Sequence, residues 1–311
     1  MQREVLWGLL TVAAGLFFSL MVLAYELGRV RNVAAPRIAF CVAIAGMVAF
    51  GLRWFSCADE GPVPWRVILL GLAAGGFQGA ATWMIPPARS RGPFTPINAA
   101  LNMAFVPTAI FALCVLHQAL TVVAVVGMAL SVGCVVAGSL AAGEEKPGNG
   151  LQGKTTTGGN IARMRLEYVA ILAFMVASVG VSGIAISYLA VRPFGDGRDW
   201  FSHFEDAYFL FLYVGFLVPT AVSMAGVGKR TRFVDVLGLG LLASFGSVVG
   251  MSMLGYAARL PGGVGFASVC VCAIVGGAII CTLLFGERRG VAWYASLACA
   301  VLAVLCFNLK F

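Results

Sequence analysis

Charge is what this sequence lacks. Of its 311 residues only 11% are Asp, Glu, Lys or Arg, against about a quarter in soluble domains, and the mean hydropathy is +0.95. A water-soluble globule is excluded. So is a disordered chain, because 60% hydrophobic residues with 22 Phe would collapse in water. Acidic and imidazole groups are scarcest, with 13 Asp and Glu and two His, none of them near the middle of an apolar run. Proton pumps and voltage sensors keep ionisable groups at depth, and a membrane enzyme needs clustered His, Asp or Cys. His203 does stand with Asp199, Glu205 and Asp206, but in an Arg/Asp-mixed connection that reads as a solvated loop. Neither an enzyme nor a cofactor nor a metal site is expected.

The formal net charge is nevertheless +8. Its 17 Arg and 4 Lys stand singly or in pairs between apolar segments, so they form no nucleic-acid-binding stripe and read as determinants of membrane topology. Eight of the nine Cys fall inside apolar runs, where a thiol behaves as a small hydrophobe. Only Cys57 lies in a loop, and Cys270-x-Cys272 has no His or carboxylate beside it.

What the chain has in plenty is apolar runs. Bounded by charge or proline, they predict ten helices: 5–25, 37–54, 65–85, 94–116, 120–140, 168–190, 207–225, 236–256, 262–285 and 291–309. At about 20 residues per crossing the ten consume roughly 200 positions, so only short connections remain. Trp7, Trp54, Trp65, Trp83 and Trp293 fall near the ends of these runs, where indoles prefer the headgroup layer.

One stretch departs in composition. Residues 141–166 are Gly, Thr and charge, a polar flexible linker between a first five-helix half, 1–140, and a second, 167–311. Within it Gly148 to Thr155 satisfy G-x-x-x-x-G-K-[ST] letter for letter. The flanks, Glu144-Glu145-Lys146-Pro147 and Thr156-Thr157-Gly158-Gly159, offer neither the strand nor the helix that a phosphate-cradling loop requires, so nucleotide binding is rejected.

Five spans per half mean that related halves would enter the membrane in opposite orientations, as in secondary transporters. An offset of 163 matches Glu4 with Glu167, Ser19 with Ser182, Tyr25 with Tyr188 and Arg29 with Arg192. An offset of 169 lays the fourth and fifth spans on the ninth and tenth, through the commoner pairs Ala109/Ala278, Ile110/Ile279 and Val122/Val291. The expected fold is an all-α membrane protein of ten transmembrane helices in two inverted five-helix repeats.

The stretch Leu283-Leu-Phe-Gly286-Glu287-Arg-Arg-Gly290, followed by apolar residues to the C-terminus, resembles the closing hairpin of the drug/metabolite transporter superfamily, EamA type. Gly92-Pro93 and Trp7-Gly8 are similar to that family too. The first half departs from it, with His117-Gln118 where Gly286-Glu287 aligns. The resemblance implies transport and names no substrate.

Uncharged polar groups at mid-depth are then the candidate substrate-binding residues. Gln78, before the end of span three, and Asn102, after the start of span four, lie at similar depth, and Thr95, Asn98 and Asn102 recur on one helix face. Pro107 has no N–H for the carbonyl of Met103, which is expected to be free for a ligand, and Tyr25 and Tyr188 complete the set. Glycines 71, 75 and 79, and 246 and 250, keep the small-x-x-x-small spacing of close helix packing.

The expected partners are the bilayer, a small-molecule substrate and a coupling ion. The expected function is alternating-access transport of a small organic metabolite, outward across the cell membrane. A sugar-uptake porter of the same superfamily is the first alternative and a channel the second. Connections after odd-numbered spans hold 14 of the 21 Lys and Arg, which places both termini outside the cytoplasm, whereas the resemblance implies termini inside.

Overall fold

The computed structural model describes residues 2–56, 62–90, 97, 100–103, 105–117, 121–143, 158–191, 200–225, 232–257, 264–285 and 290–308. Their regular structure is helical throughout: α1 (Gln2–Val30), α2 (Ala35–Ser56), α3 (Trp65–Trp83), α4 (Ile85–Arg89), α5 (Phe105–Cys114), α6 (Val122–Gly143), α7 (Gly158–Val191), α8 (Trp200–Ala225), α9 (Phe233–Ala257), α10 (Val264–Phe285) and α11 (Val291–Asn308). Hydrocarbon offers no partner to a backbone amide, so a spanning chain must satisfy its N–H and C=O groups within the helix.

Among the described residues, seven stretches are long and apolar enough to cross a bilayer: Gly8–Val30, Ala35–Ser56, Trp65–Ala88, Leu166–Leu189, Phe204–Ala225, Phe233–Gly255 and Ser268–Phe285. The protein is an integral membrane protein. Helices α6 and α11, of 22 and 18 residues, pack against each other. Exposed Leu52, Phe55, Val218, Val222, Leu283 and Leu284 form part of the apolar surface that lipid covers.

Several of the expected helices are longer in the structure, the first and the sixth most of all. The first continues past residue 25 because Glu26 and Arg29 pair within it at 2.8 Å and Glu26 is buried. It stops at Asn32, whose φ of 56° carries a left-handed cap. There the Val33 amide bonds the Gly28 carbonyl at 2.7 Å and the Asn32 amide bonds that of Arg29 at 3.2 Å, the paired bonds of a Schellman end. Helix α7 spans 34 residues from Gly158, so it takes in part of the expected linker. Residues 144–157, with the rejected phosphate-loop match, lie outside the described residues, and the described element before them is a helix.

The fourth expected span is not one continuous helix. Residues 100–102 are helical, Met103 is in a turn and α5 begins at Phe105. The Met103 amide bonds the Ala100 carbonyl at 3.2 Å, and the Val106 amide bonds the Met103 carbonyl at 3.0 Å. Both bonds join residues three apart, the tighter turn that a chain adopts where proline removes the donor four residues on.

Glycines set the directions of packing. On α3, Gly71, Gly75 and Gly79 face Tyr208 and Phe211, then Leu212, then Phe216 and Pro219 of α8, so α3 and α8 run parallel at backbone contact. Gly46 of α2 lies on the Tyr213 ring and Gly51 near Leu210, so α2 and α8 run antiparallel. Gly246 of α9 meets Phe17 and Leu20 while Gly250 meets Phe18, and Gly28 faces Leu239, so α1 and α9 are antiparallel. Gly15 faces Val269 and Cys272, and Gly276 faces Ser19, which sets α1 parallel to α10.

The contacts keep their pattern when the halves are exchanged. Helix α1 packs on α9 and α10 as α7 packs on α3 and α5, and α2 packs on α9 as α8 packs on α3. Polar side chains also link the helices of this core. Arg53 of α2 pairs with Asp206 of α8 at 3.0 Å and donates to Ser252 of α9 at 2.9 Å, while Tyr213 and Ser247 share a hydrogen bond of 2.7 Å between α8 and α9.

Candidate functional site

A cavity of about 120 Å³ lies between the halves, walled by α1, α3, α4 and residues 101–102 from the first, and by α7, α9 and α10 from the second. Most of its wall is aliphatic or aromatic, with Phe18, Met21 and Met251 among the lining side chains. The polar contributions come from Tyr25, Gln78, Thr82, Asn102, Ser182 and Cys270. Among the described residues, no Asp, Glu, Lys, Arg or His lines it.

Three local features make this wall. Tyr25 on α1 and Gln78 and Thr82 on α3 line the cavity, and close by on the same helices Gly28 and Gly79 let α1 approach Leu239 of α9 and α3 approach Pro219 of α8. Second, the turn at Met103 ends the Asn102 helix beside the cavity, and the Phe105 amide after it points at the Cys270 sulfur. Third, the Pro107 ring sits on Gly180 of α7, where no side chain intervenes, and brings α7 close enough for Val179 and Ser182 to reach the cavity.

The polar groups are not equally engaged. Thr82 Oγ1 donates to the Gln78 backbone carbonyl at 3.0 Å, a bond within its own helix. Ser182 lies beside the buried Tyr208 hydroxyl, and Asn102 takes part in an interaction within the protein. In contrast, the Tyr25 hydroxyl and Gln78 Oε1 are buried without a hydrogen-bond partner among the described residues. A buried polar atom without a partner carries a desolvation penalty of about 1–3 kcal/mol, so these two oxygens favour an occupant that can bond to them.

The structure brings Tyr25, Gln78 and Asn102 to one cavity. Tyr188, which the offset of 163 matches with Tyr25, is not among the described lining residues and packs, as Tyr25 also does, against the buried core. Met103 packs there too, and its carbonyl is not free as the missing Pro107 amide implied, because the turn supplies the Val106 amide. Pro107 acts through its ring against Gly180 rather than through an exposed carbonyl. Asn98 and Thr95 lie outside the described residues, as do Gly92-Pro93 and the Gly286 to Arg289 turn.

Ser182, Met251 and Cys270 were missed. The match of Ser182 with Ser19 was a usable signal, although Ser19 itself donates to the Gly15 and Ala273 carbonyls. The other two are apolar-run residues that nothing in the sequence sets apart.

The fold is similar to that of a solved structure described as "Crystal structure of protein", with a TM-score of 0.62, 13% sequence identity, and 97% of this chain and 98% of that chain covered. At that identity the likeness concerns the fold alone. No family model matches the chain, and no curated protein matches it.

Proposed function

We propose that this protein is a ten-span secondary transporter of the EamA type in the drug/metabolite transporter superfamily, and that it moves a small organic metabolite out of the cell by alternating access. Its two inverted repeats are residues 1–140 and 167–311, joined by the 141–166 linker. The observation that carries the reading is the cavity between the halves, lined from both and holding two buried oxygens without partners among the described residues. Inverted-repeat transporters bind substrate at the repeat interface near the bilayer midplane.

The packing directions support the inverted arrangement. Helix α2 runs antiparallel to its counterpart α8. Because α3 is parallel to α8, and α2 parallel to α9 through Cys41 on Gly240 and Arg53 on Ser252, α3 and its counterpart α9 also run oppositely.

Metabolite profiling of cells with and without the protein tests transport. One or a few small organic solutes are expected to accumulate in the medium of expressing cells and to remain inside cells carrying Gln78→Leu. Identical profiles in all three would overturn the reading. The 14 Lys and Arg in connections after odd-numbered spans favour termini outside the cytoplasm. A reporter active only in the cytoplasm and fused after Phe311 is therefore expected to stay dark, and a strong signal would reverse the topology.

A further inference from the structure

We infer that the cavity takes an uncharged, ring-sized solute that donates a hydrogen bond, with Gln78 and Tyr25 separating it from hydrocarbons and ions of the same shape. This rests on the transport reading only in naming the cavity's occupant as the substrate.

Size comes from the volume. An apolar cavity of about 150 Å³ in another protein admits benzene, and this one is of the same order at about 120 Å³ and is not fully enclosed, so its occupant is of single-ring size. Charge selectivity comes from the wall. Among the described lining residues no carboxylate, ammonium, guanidinium or imidazole faces the space, and the ion pairs Arg53–Asp206, Arg31–Asp235 and Glu26–Arg29 join residues that are not part of that lining. A carboxylate or ammonium entering the cavity would lose its hydration and meet no counter-ion, so it is rejected.

The hydrogen-bond requirement comes from the two unpartnered oxygens. Gln78 Oε1 can only accept, so it needs a donor. The Tyr25 hydroxyl both donates and accepts, so it can meet the carbonyl of the same solute. A carboxamide on a ring offers both groups, and a ring ketone of the same shape offers only the acceptor. Discrimination is strongest where a site's buried polar group would stay unpaired.

Benzamide, acetophenone, benzoate and benzylammonium form a near-isosteric set that varies only donor and charge. Saturable binding of radiolabelled benzamide to the purified full-length protein is measured, with the other three as unlabelled competitors. Partition into detergent does not saturate and drops out. Benzamide is expected to compete about tenfold better than acetophenone, the worth of one hydrogen bond, and both ions are expected not to compete. Gln78→Leu should bring benzamide and acetophenone to equal affinity. Tyr25→Phe should weaken benzamide while leaving the ring contacts in place.

Benzoate or benzylammonium competing as well as benzamide would overturn the inference. So would equal affinities for benzamide and acetophenone in the unaltered protein, unchanged selectivity in Gln78→Leu, or no saturable binding at all. The assay involves no transport, so selective binding by a protein that moves no solute would remove the transport reading and keep this one. A protein that transports but prefers the anion would do the reverse.

Discussion

Gly75→Ala is expected to destabilise the protein by about 2–3 kcal/mol, the upper part of the range for forcing an extra group into a packed interior. A Cβ at Gly75 would fall on the Leu212 carbonyl of α8, and the atoms it meets are backbone, which cannot rotate away. Gly71 and Gly79 hold the same seam one turn to either side, so the strain cannot be relieved by a local tilt. The adjacent Gly76 is the control, because a Cβ there meets nothing within 4 Å. Gly76→Ala should be neutral or stabilising by up to about 1 kcal/mol, since alanine is the better helix former. Thermal unfolding of both variants in one detergent decides the matter. Equal melting temperatures would mean that α3 does not pack on α8 at backbone distance.

Gln78→Leu is expected to leave the fold intact and strongly weaken the activity. Gln78 Oε1 has no hydrogen-bond partner among the described residues, so replacing the amide with a side chain of similar size takes away an uncompensated polar group, and the melting temperature should hold or rise. A solute that bonds to this oxygen loses about 1–3 kcal/mol of binding, which corresponds to a fall of roughly tenfold to a hundredfold in kcat/KM for transport. Asn102→Leu should behave differently. Asn102 already has an interaction inside the protein, so its loss should lower the melting temperature as well as transport, by no more than about 2 kcal/mol for an interhelical hydrogen bond. Half-saturation and unfolding measured on the same preparations separate the two. A Gln78→Leu protein with unaltered half-saturation and rate would remove this amide from the substrate path.

Hydropathy belongs to each segment by itself, and the sequence alone therefore determined that the chain enters a bilayer, that its structure is helical, and roughly where most helices lie. The glycine rows were legible for the same kind of reason. A four-residue spacing puts small residues on one helix face whatever the partner, and Gly71, Gly75, Gly79, Gly246 and Gly250 all proved to be contact points.

What only the tertiary structure decided is which inward faces meet. Helices such as α9 and α10 are apolar all round and carry no polar stripe to orient them, so nothing local marks Met251 or Cys270 as cavity walls. Tyr25 and Tyr188 look equivalent in the sequence and both pack against the core, but of the two Tyr25 alone is among the described residues that line the cavity. The break at Met103 was half legible. Pro107 announces a missing donor, but whether the released carbonyl stays open or is closed by the Val106 amide depends on how the chain turns when the Pro107 ring seats on Gly180, a residue 73 positions away.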